Sequence, residues 1–309
     1  DYSYKHKRLD EYLNSVKNIS GDKKEIVIDD LIADLKTKSK HLFKWLKEKE
    51  WLKEGFFNGY YDNKGNRVEG KTAGQNIRML LPSQVFAIMS GGADSRQIKK
   101  AWASIKKYLR DKQLGGFRLN TNFNSHHNLD LGRAFGFSYG DKENGAFFSH
   151  MVVMLANALY SRGFINEGFE AFDSIYRMAV SDKGKIYPLI PEYFNNEGRG
   201  LYLYLTGSAS WYIYTLLEEV LGIKFDFGNI CLEPKLTQDN FLSKEIKVKF
   251  SLREKPVEVV FTRKVSKKIY RVQDVYLGDK KQVLSKNKRY ILKGEDLNNK
   301  ENLIEVRLG

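Results

Sequence analysis

Apolar residues recur at helical spacing through the first two thirds of the chain. Over residues 28–52, Leu31, Ile32, Leu35, Leu42, Phe43 and Leu46 fall on one face with charges between them, which predicts an amphipathic helix. The same period predicts helices over 94–111 (Ile98, Ala101, Trp102, Ile105, Leu109), 145–160, 166–180 and 208–221. After Gly228 the period becomes alternation: Ile246, Val248, Phe250 and Leu252, then VEVVF, KKIYRV, KRYILK and LIEVRL. Alternation of this kind makes half-buried strands, so the tail is expected to be an antiparallel β-sandwich. The fold class expected is mainly α with a β tail. Three connections rich in glycine and aromatics, over 55–74, 115–143 and 182–205, are too long for idle loops and are expected to form the binding surface.

Composition narrows the class. With 309 residues, 42% hydrophobic and 13% aromatic, the chain is globular and long enough for about two domains. A single cysteine, Cys231, excludes a disulfide-dense scaffold and favours a reducing compartment. No apolar run approaches the ~18 residues of a membrane span, and the opening DYSYKHKRLDEY has no signal-peptide character, so a cytoplasmic protein without a membrane partner is expected. The net charge of +14 invites a nucleic-acid reading. Its distribution argues against one: residues 241–309 hold 18 Lys and Arg against 9 Asp and Glu, alternating with apolar positions as on the wet face of a sheet. No nucleic-acid partner is expected.

Three patches exceed what packing needs. In KEGFFNGYYDNKGNRVEG, Glu54 precedes a run of glycines and rings and Asp62 follows it; rings between small polar groups suit a sugar, and equally suit a loop that plugs the domain. GFSYGDKENGAFFSH offers Glu143 and Asn144 beside a glycine and ends in His150 at the entrance to an apolar helix, where a histidine can also be a packing or capping residue. YLYLTGSASW sets Thr206, Gly207 and Ser208 at a helix start, a place that serves for capping or for binding an anion. Together these are the parts for transferring a glycosyl group to phosphate.

FFNGYYDNKGNRVEG, RMLLPSQVFAIMSGGA, ENGAFFSH, IPEYFNNEGRGLYLYLTGSASW and FGNICLEPKL, in that order, resemble the C-terminal part of the glycoside phosphorylases of glycoside hydrolase family 94, the 1,2-β-oligoglucan phosphorylase branch most of all. The resemblance covers roughly 24–236. It implies an (α/α)6 barrel followed by a β-sandwich, with residues 1–228 as the C-terminal part of an incomplete barrel and 229–309 as the sandwich. It further implies inverting phosphorolysis of β-1,2-linked glucooligosaccharides to glucose 1-phosphate and a shortened glucan, one carboxylic acid protonating the leaving oxygen while phosphate attacks. Carried over by position, the acid is Glu54, in place of the family's Asp. His150, Thr206 and Gly207 would bind phosphate, and Phe56, Phe57, Tyr60, Tyr61, Tyr139 and Glu143 would line sugar subsites. No metal and no cofactor are implied, inorganic phosphate being the co-substrate. The partners implied are a β-glucan oligosaccharide, phosphate or glucose 1-phosphate, and a missing N-terminal half of the enzyme, since only about six helical segments stand where twelve are needed; homodimerisation stays open. The Glu54 replacement and the short barrel motivate an alternative, a truncated or degenerate non-catalytic carbohydrate-binding protein.

Overall fold

The computed structural model describes residues 4–18, 20–124, 131–204, 206–285 and 289–309. Part of the 115–143 connection, Leu205 and Lys288 of KRYILK thus lie outside the described residues. Contacts group the chain into two compact units: Asp1–Phe148 with Phe194–Gly198, and Ser149–Tyr193 with Arg199–Gly309. The expected boundary at 228/229 is therefore not where contacts divide it; the later helices group with the β tail.

In chain order the elements are α1 (Lys5–Val16), α2 (Ile28–Glu48), β1 (Gly70–Lys71), β2 (Ile77–Arg78), α3 (Leu81–Met89), α4 (Ser95–Tyr108), β3 (Phe147–Phe148), α5 (Ser149–Ser161), α6 (Ile165–Val180), β4 (Tyr193–Phe194), β5 (Gly200–Leu201) and α7 (Gly207–Tyr214). There follow β6 (Ile223–Asp226), β7 (Asn229–Leu232), β8 (Glu245–Leu252), β9 (Lys255–Arg263), β10 (Val272–Leu277), β11 (Lys280–Lys281), β12 (Tyr290–Leu292) and β13 (Asn302–Leu308). Helices dominate the part before β6, in line with a helical catalytic domain.

In the first unit α4 behaves as its pattern predicts. Asp94 and Gln97 close a reciprocal capping box at its start, and Ile98, Ala101, Trp102 and Ile105 are buried. The helix α2 carries as clear a stripe yet buries none of its residues; Leu35 is 56% and Leu42 66% exposed. A shallow groove bounded by Leu35, Leu42, Phe43, Leu46 and Ser90 runs along it. The helix α3 escapes a periodicity reading because LPSQVFAIM is apolar nearly all round, and its Pro82 sits in the first turn, where a missing N–H costs nothing.

In the second unit α5 is buried along most of its length, from Val152 to Tyr160, and packs on α6 and α7. Phe172 of α6 stacks on Tyr212 of α7, centroids 3.9 Å apart. The α7 helix runs on into a π-helical stretch, Thr215–Val220, where Leu221 N–H reaches the carbonyl of Leu216. The tail forms a five-stranded sheet in the order β11-β10-β13-β9-β8 and a separate three-stranded sheet β12-β7-β6. The antiparallel expectation needs correction: β13 runs parallel to β9. Alternation fixes which side chains face in, not strand direction, and the chain between Arg263 and Asn302 is long enough for the crossover that a parallel pair requires.

Candidate functional site

The aromatic-glycine loop of the first unit is built around two buried carboxylates. Glu50 receives Trp45 Nε1–H at 2.5 Å, Tyr61 O–H at 2.5 Å and Asn58 Nδ2–H at 2.9 Å. Asn58 passes the connection on, its Oδ1 accepting Glu69 N–H at 3.2 Å. Glu69 accepts Gly59 N–H at 2.7 Å and Ser83 O–H at 2.5 Å on one oxygen, and Leu80 N–H at 2.8 Å on the other. Burial nevertheless pushes the Glu69 carboxyl up to about 7, the three donors opposing and the Glu50 charge adding to the rise. Gly59 is required here: a Cβ would sit 2.7 Å from Ser83 Oγ.

Glu54 lies half-buried in the turn that links Trp51 to Phe57, its carbonyl within 3.5 Å of Ser104 Oγ on α4. Asp62, a further acid of the loop, is occupied. It accepts Lys64 N–H, Asn66 N–H and Asn66 Nδ2–H, contacts that, despite some burial, hold its pKa below the usual carboxylate value. The expectation that Phe56 and Phe57 line a sugar subsite is corrected, because both rings are fully buried. Phe57 meets Trp51 edge-on at 4.7 Å, and its peptide is gripped on both sides by Gln84, which accepts from Phe57 N–H and donates to its carbonyl, both at 2.8 Å. Tyr60 and Tyr61 are only partly covered, but their hydroxyls are held, that of Tyr60 by the Leu131 carbonyl and that of Tyr61 by Glu50.

The ENG segment is organised by Arg118 and Asn120, neither of which stands out in the sequence. Arg118 pairs with Asp111 at 2.8 Å, donates to the carbonyl of Gly145 and lies 4.4 Å over the Phe147 ring. Asn120 accepts Gly145 N–H at 2.8 Å and donates to Asn144 Oδ1 at 3.1 Å. Tyr139 packs over Gly145 and donates to the Asn120 carbonyl at 3.2 Å. Glu143 places one oxygen 3.0 Å from Arg133 Nη1 and leaves the other buried without a partner.

In the second unit the starts of α5 and α7 meet. The His150 ring lies against Gly207: a Cβ there would stand 2.7 Å from Cε1 and 2.8 Å from Nδ1, so only glycine lets the two approach. The Trp211 ring closes one side at 5.8 Å. Thr206 is the N-cap residue of α7 but makes no capping hydrogen bond, and its buried Oγ1 has no partner. His150 Nε2 is likewise buried and unpartnered. Burial lowers the His150 pKa, against a smaller opposing pull from Glu192, so the imidazole is neutral at neutral pH. The first N–H groups of a helix, an unspent hydroxyl and an imidazole in a dry setting are groups of the kind that can hold an oxyanion.

The sequence profile of the glycosyl hydrolase 94 superfamily, catalytic domain, matches residues 15–222. The chain belongs to that family. Among individual family relatives it is 26% identical over 201 residues to a cellobionic acid phosphorylase of Neurospora crassa, a match spanning 60% of this chain and 25% of that protein. An N,N'-diacetylchitobiose phosphorylase of Vibrio furnissii is 26% identical over 57% of this chain and 24% of its own length, and a solabiose phosphorylase of Paenibacillus borealis is 25% identical over 58% and 24%. The chain thus spans about a quarter of the length of these glycoside phosphorylases. Its fold resembles a solved sialidase, with a TM-score of 0.54 at 11% identity over 85% of this chain and 24% of that one. Membership makes the chain part of a glycoside phosphorylase family. Among the described residues no helix is long and apolar enough to cross a membrane, and no group of three or more His, Cys, Asp or Glu could hold a metal ion.

Proposed function

We propose that this glycoside hydrolase family 94 chain takes part in inverting phosphorolysis of β-1,2-linked glucooligosaccharides. The observation that carries the reading is the junction of α5 and α7, where His150 Nε2 and Thr206 Oγ1 are buried, polar and unpartnered beside the Gly207 backbone. Hydrogenphosphate supplies the nucleophilic oxygen, which bonds to the anomeric carbon as the glycosidic C–O bond breaks. The leaving oxygen takes a proton from the carboxylic acid of Glu54, and the proton that hydrogenphosphate gives up restores that acid, so the reaction balances without a second base. Glu54 is preferred to Asp62 because Asp62 is spent on its own turn. Tyr60, Tyr61, Tyr139 and Glu143, each only partly covered, offer the contacts to sugar. The FFNGYYDN loop supports the β-1,2 preference.

The test is phosphate release from glucose 1-phosphate with sophorose, cellobiose and laminaribiose as separate acceptors, using this chain alone and joined to any coding sequence upstream of Asp1. Release with sophorose, reduced at least 100-fold by Glu54→Gln, is expected. Release with cellobiose but not sophorose overturns the linkage. Sugar binding with no release in either form moves the non-catalytic carbohydrate-binding reading ahead.

A further inference from the structure

Seven side-chain polar atoms among the described residues are buried with no hydrogen-bond partner: Arg78 Nε, Glu143 Oε2, Ser149 Oγ, His150 Nε2, Tyr160 Oη, Thr206 Oγ1 and Ser208 Oγ. Four of the seven belong to two short runs, Ser149–His150 and Thr206–Ser208, at the starts of two helices that pack together. A buried hydroxyl left without a partner costs about 1–3 kcal/mol and natural folds keep only a few such groups, so four gathered at one junction call for an explanation. Both serines are wholly buried, at 0% exposure. Neither is used by the helix it opens. The α7 start has no side-chain cap, and it is the Ser149 backbone, not its hydroxyl, that bonds to the Glu192 carbonyl at 2.9 Å.

We infer that Ser149 and Ser208 are two further ligands of the oxyanion site at the α5–α7 junction, their hydroxyls donating to a tetrahedral phosphate oxyanion held also by His150, Thr206 and the Gly207 N–H. This rests on the phosphate-site reading above and extends it to two residues. The setting favours a phosphate group over a sugar hydroxyl, because the unsatisfied atoms belong to two helix starts that pack together, with His150 against Gly207, where N–H groups and the positive dipole end favour a negative charge. The same chemistry is presented by free orthophosphate and by the phosphate of glucose 1-phosphate.

The 309-residue chain is titrated with inorganic phosphate and, separately, with glucose 1-phosphate. Thermal midpoint and the fluorescence change of Trp211, isolated by comparison with Trp211→Phe, are followed for the wild type, Ser149→Ala, Ser208→Ala and Ser208→Cys, the last keeping bulk but donating poorly. Expected are a phosphate-induced rise in the wild-type midpoint, about tenfold weaker phosphate binding in each serine variant, and ligand-free midpoints that are unchanged or higher, since each alanine removes an unpartnered buried hydroxyl. Equal response to glucose 1-phosphate supports the site as one that serves both faces of the reaction; response to it alone, with phosphate inert, overturns the orthophosphate assignment. Serine variants that bind phosphate as tightly as wild type, or that lose several degrees without ligand, overturn the inference while leaving the His150–Thr206 site standing. A wild type that ignores both ligands overturns the site reading itself.

Discussion

The Glu50–Glu69 loop and the α5–α7 junction both bury polar side-chain atoms, yet one is closed and the other open. In the loop, five donors from Trp45, Tyr61, Asn58, Gly59 and Ser83 converge on two carboxylates, and Leu80 adds a sixth. At the junction, Ser149, His150, Thr206 and Ser208 each keep a buried atom without a partner. Satisfied polar networks rigidify a fold, whereas buried groups left without partners call for an explanation, of which a bound ligand is one. A count of polar residues would rank both alike; only the hydrogen-bond accounting separates scaffold from site.

Substitutions can break this contrast. The largest effect is expected at the open junction. Gly207→Ala forces a Cβ to 2.7 Å from the His150 ring, and His150→Ala removes one of the proposed phosphate ligands; each should weaken phosphate binding at least 100-fold in the titration above. Next comes the closed loop. Glu69→Gln replaces one acceptor oxygen by an NH2 that must face a backbone N–H of Gly59 or Leu80, neither of which can accept, and a loss of about 1–3 kcal/mol is expected by denaturant unfolding. Gly59→Ala, which crowds Ser83, should cost a similar amount, about 1–3 kcal/mol, with phosphate binding unaltered.

The Glu69 carboxyl also sharpens the contrast through pH. It titrates near 7 when folded and at its ordinary 4.5 when unfolded. Between these values the folded protein keeps a proton that the unfolded chain has lost. The contribution to stability is therefore fully present below pH 4.5 and is lost as pH rises through 7. Unfolding curves across that window should show the decline in the wild type and a flatter profile in Glu69→Gln. The smallest effect is expected on α2, where Leu35→Lys and Leu42→Lys should shift the unfolding free energy of the chain by no more than about 0.5 kcal/mol, both side chains being mostly exposed.

The stripes of α2 and α4 are equally periodic, so both helices are legible, but periodicity does not say what a stripe packs against: Trp102 and Ile105 are buried and Leu42 is not. An all-apolar helix such as α3 hides its period for the opposite reason. In the site, His150, Thr206 and Gly207 stand out as a histidine at a helix entrance and a hydroxyl-glycine helix start, and the structure brings His150 and Gly207 together. Phe56 and Phe57 mislead because a glycine-flanked ring looks the same whether it stacks on a ligand or plugs a core. Asn120, Arg118, Glu69 and Gln84 were missed because each works through backbone groups far along the chain, a partnership with no local spacing. The weak signal that could have found them is a polar residue inside an otherwise apolar run, as Gln84 is within LPSQVFAIM.

The π-helical stretch Thr215–Val220 carries one consequence for how the chain can change. A π turn is an α turn with a residue to spare, and each residue advances an α-helix by roughly 100°. Deleting one residue within Leu216–Glu218 would let the turn tighten to ordinary α spacing with the chain beyond it kept in phase, whereas deleting one from the α-helical part before it would rotate everything beyond by about that angle relative to Gly207. Glu219 would then swing away from Lys235, its partner at 2.5 Å. The spare residue is slack between the helix that opens at Gly207 and the sheet that begins at Ile223, so the loss of one residue is absorbed within Thr215–Val220 but not in the α-helical turns before it.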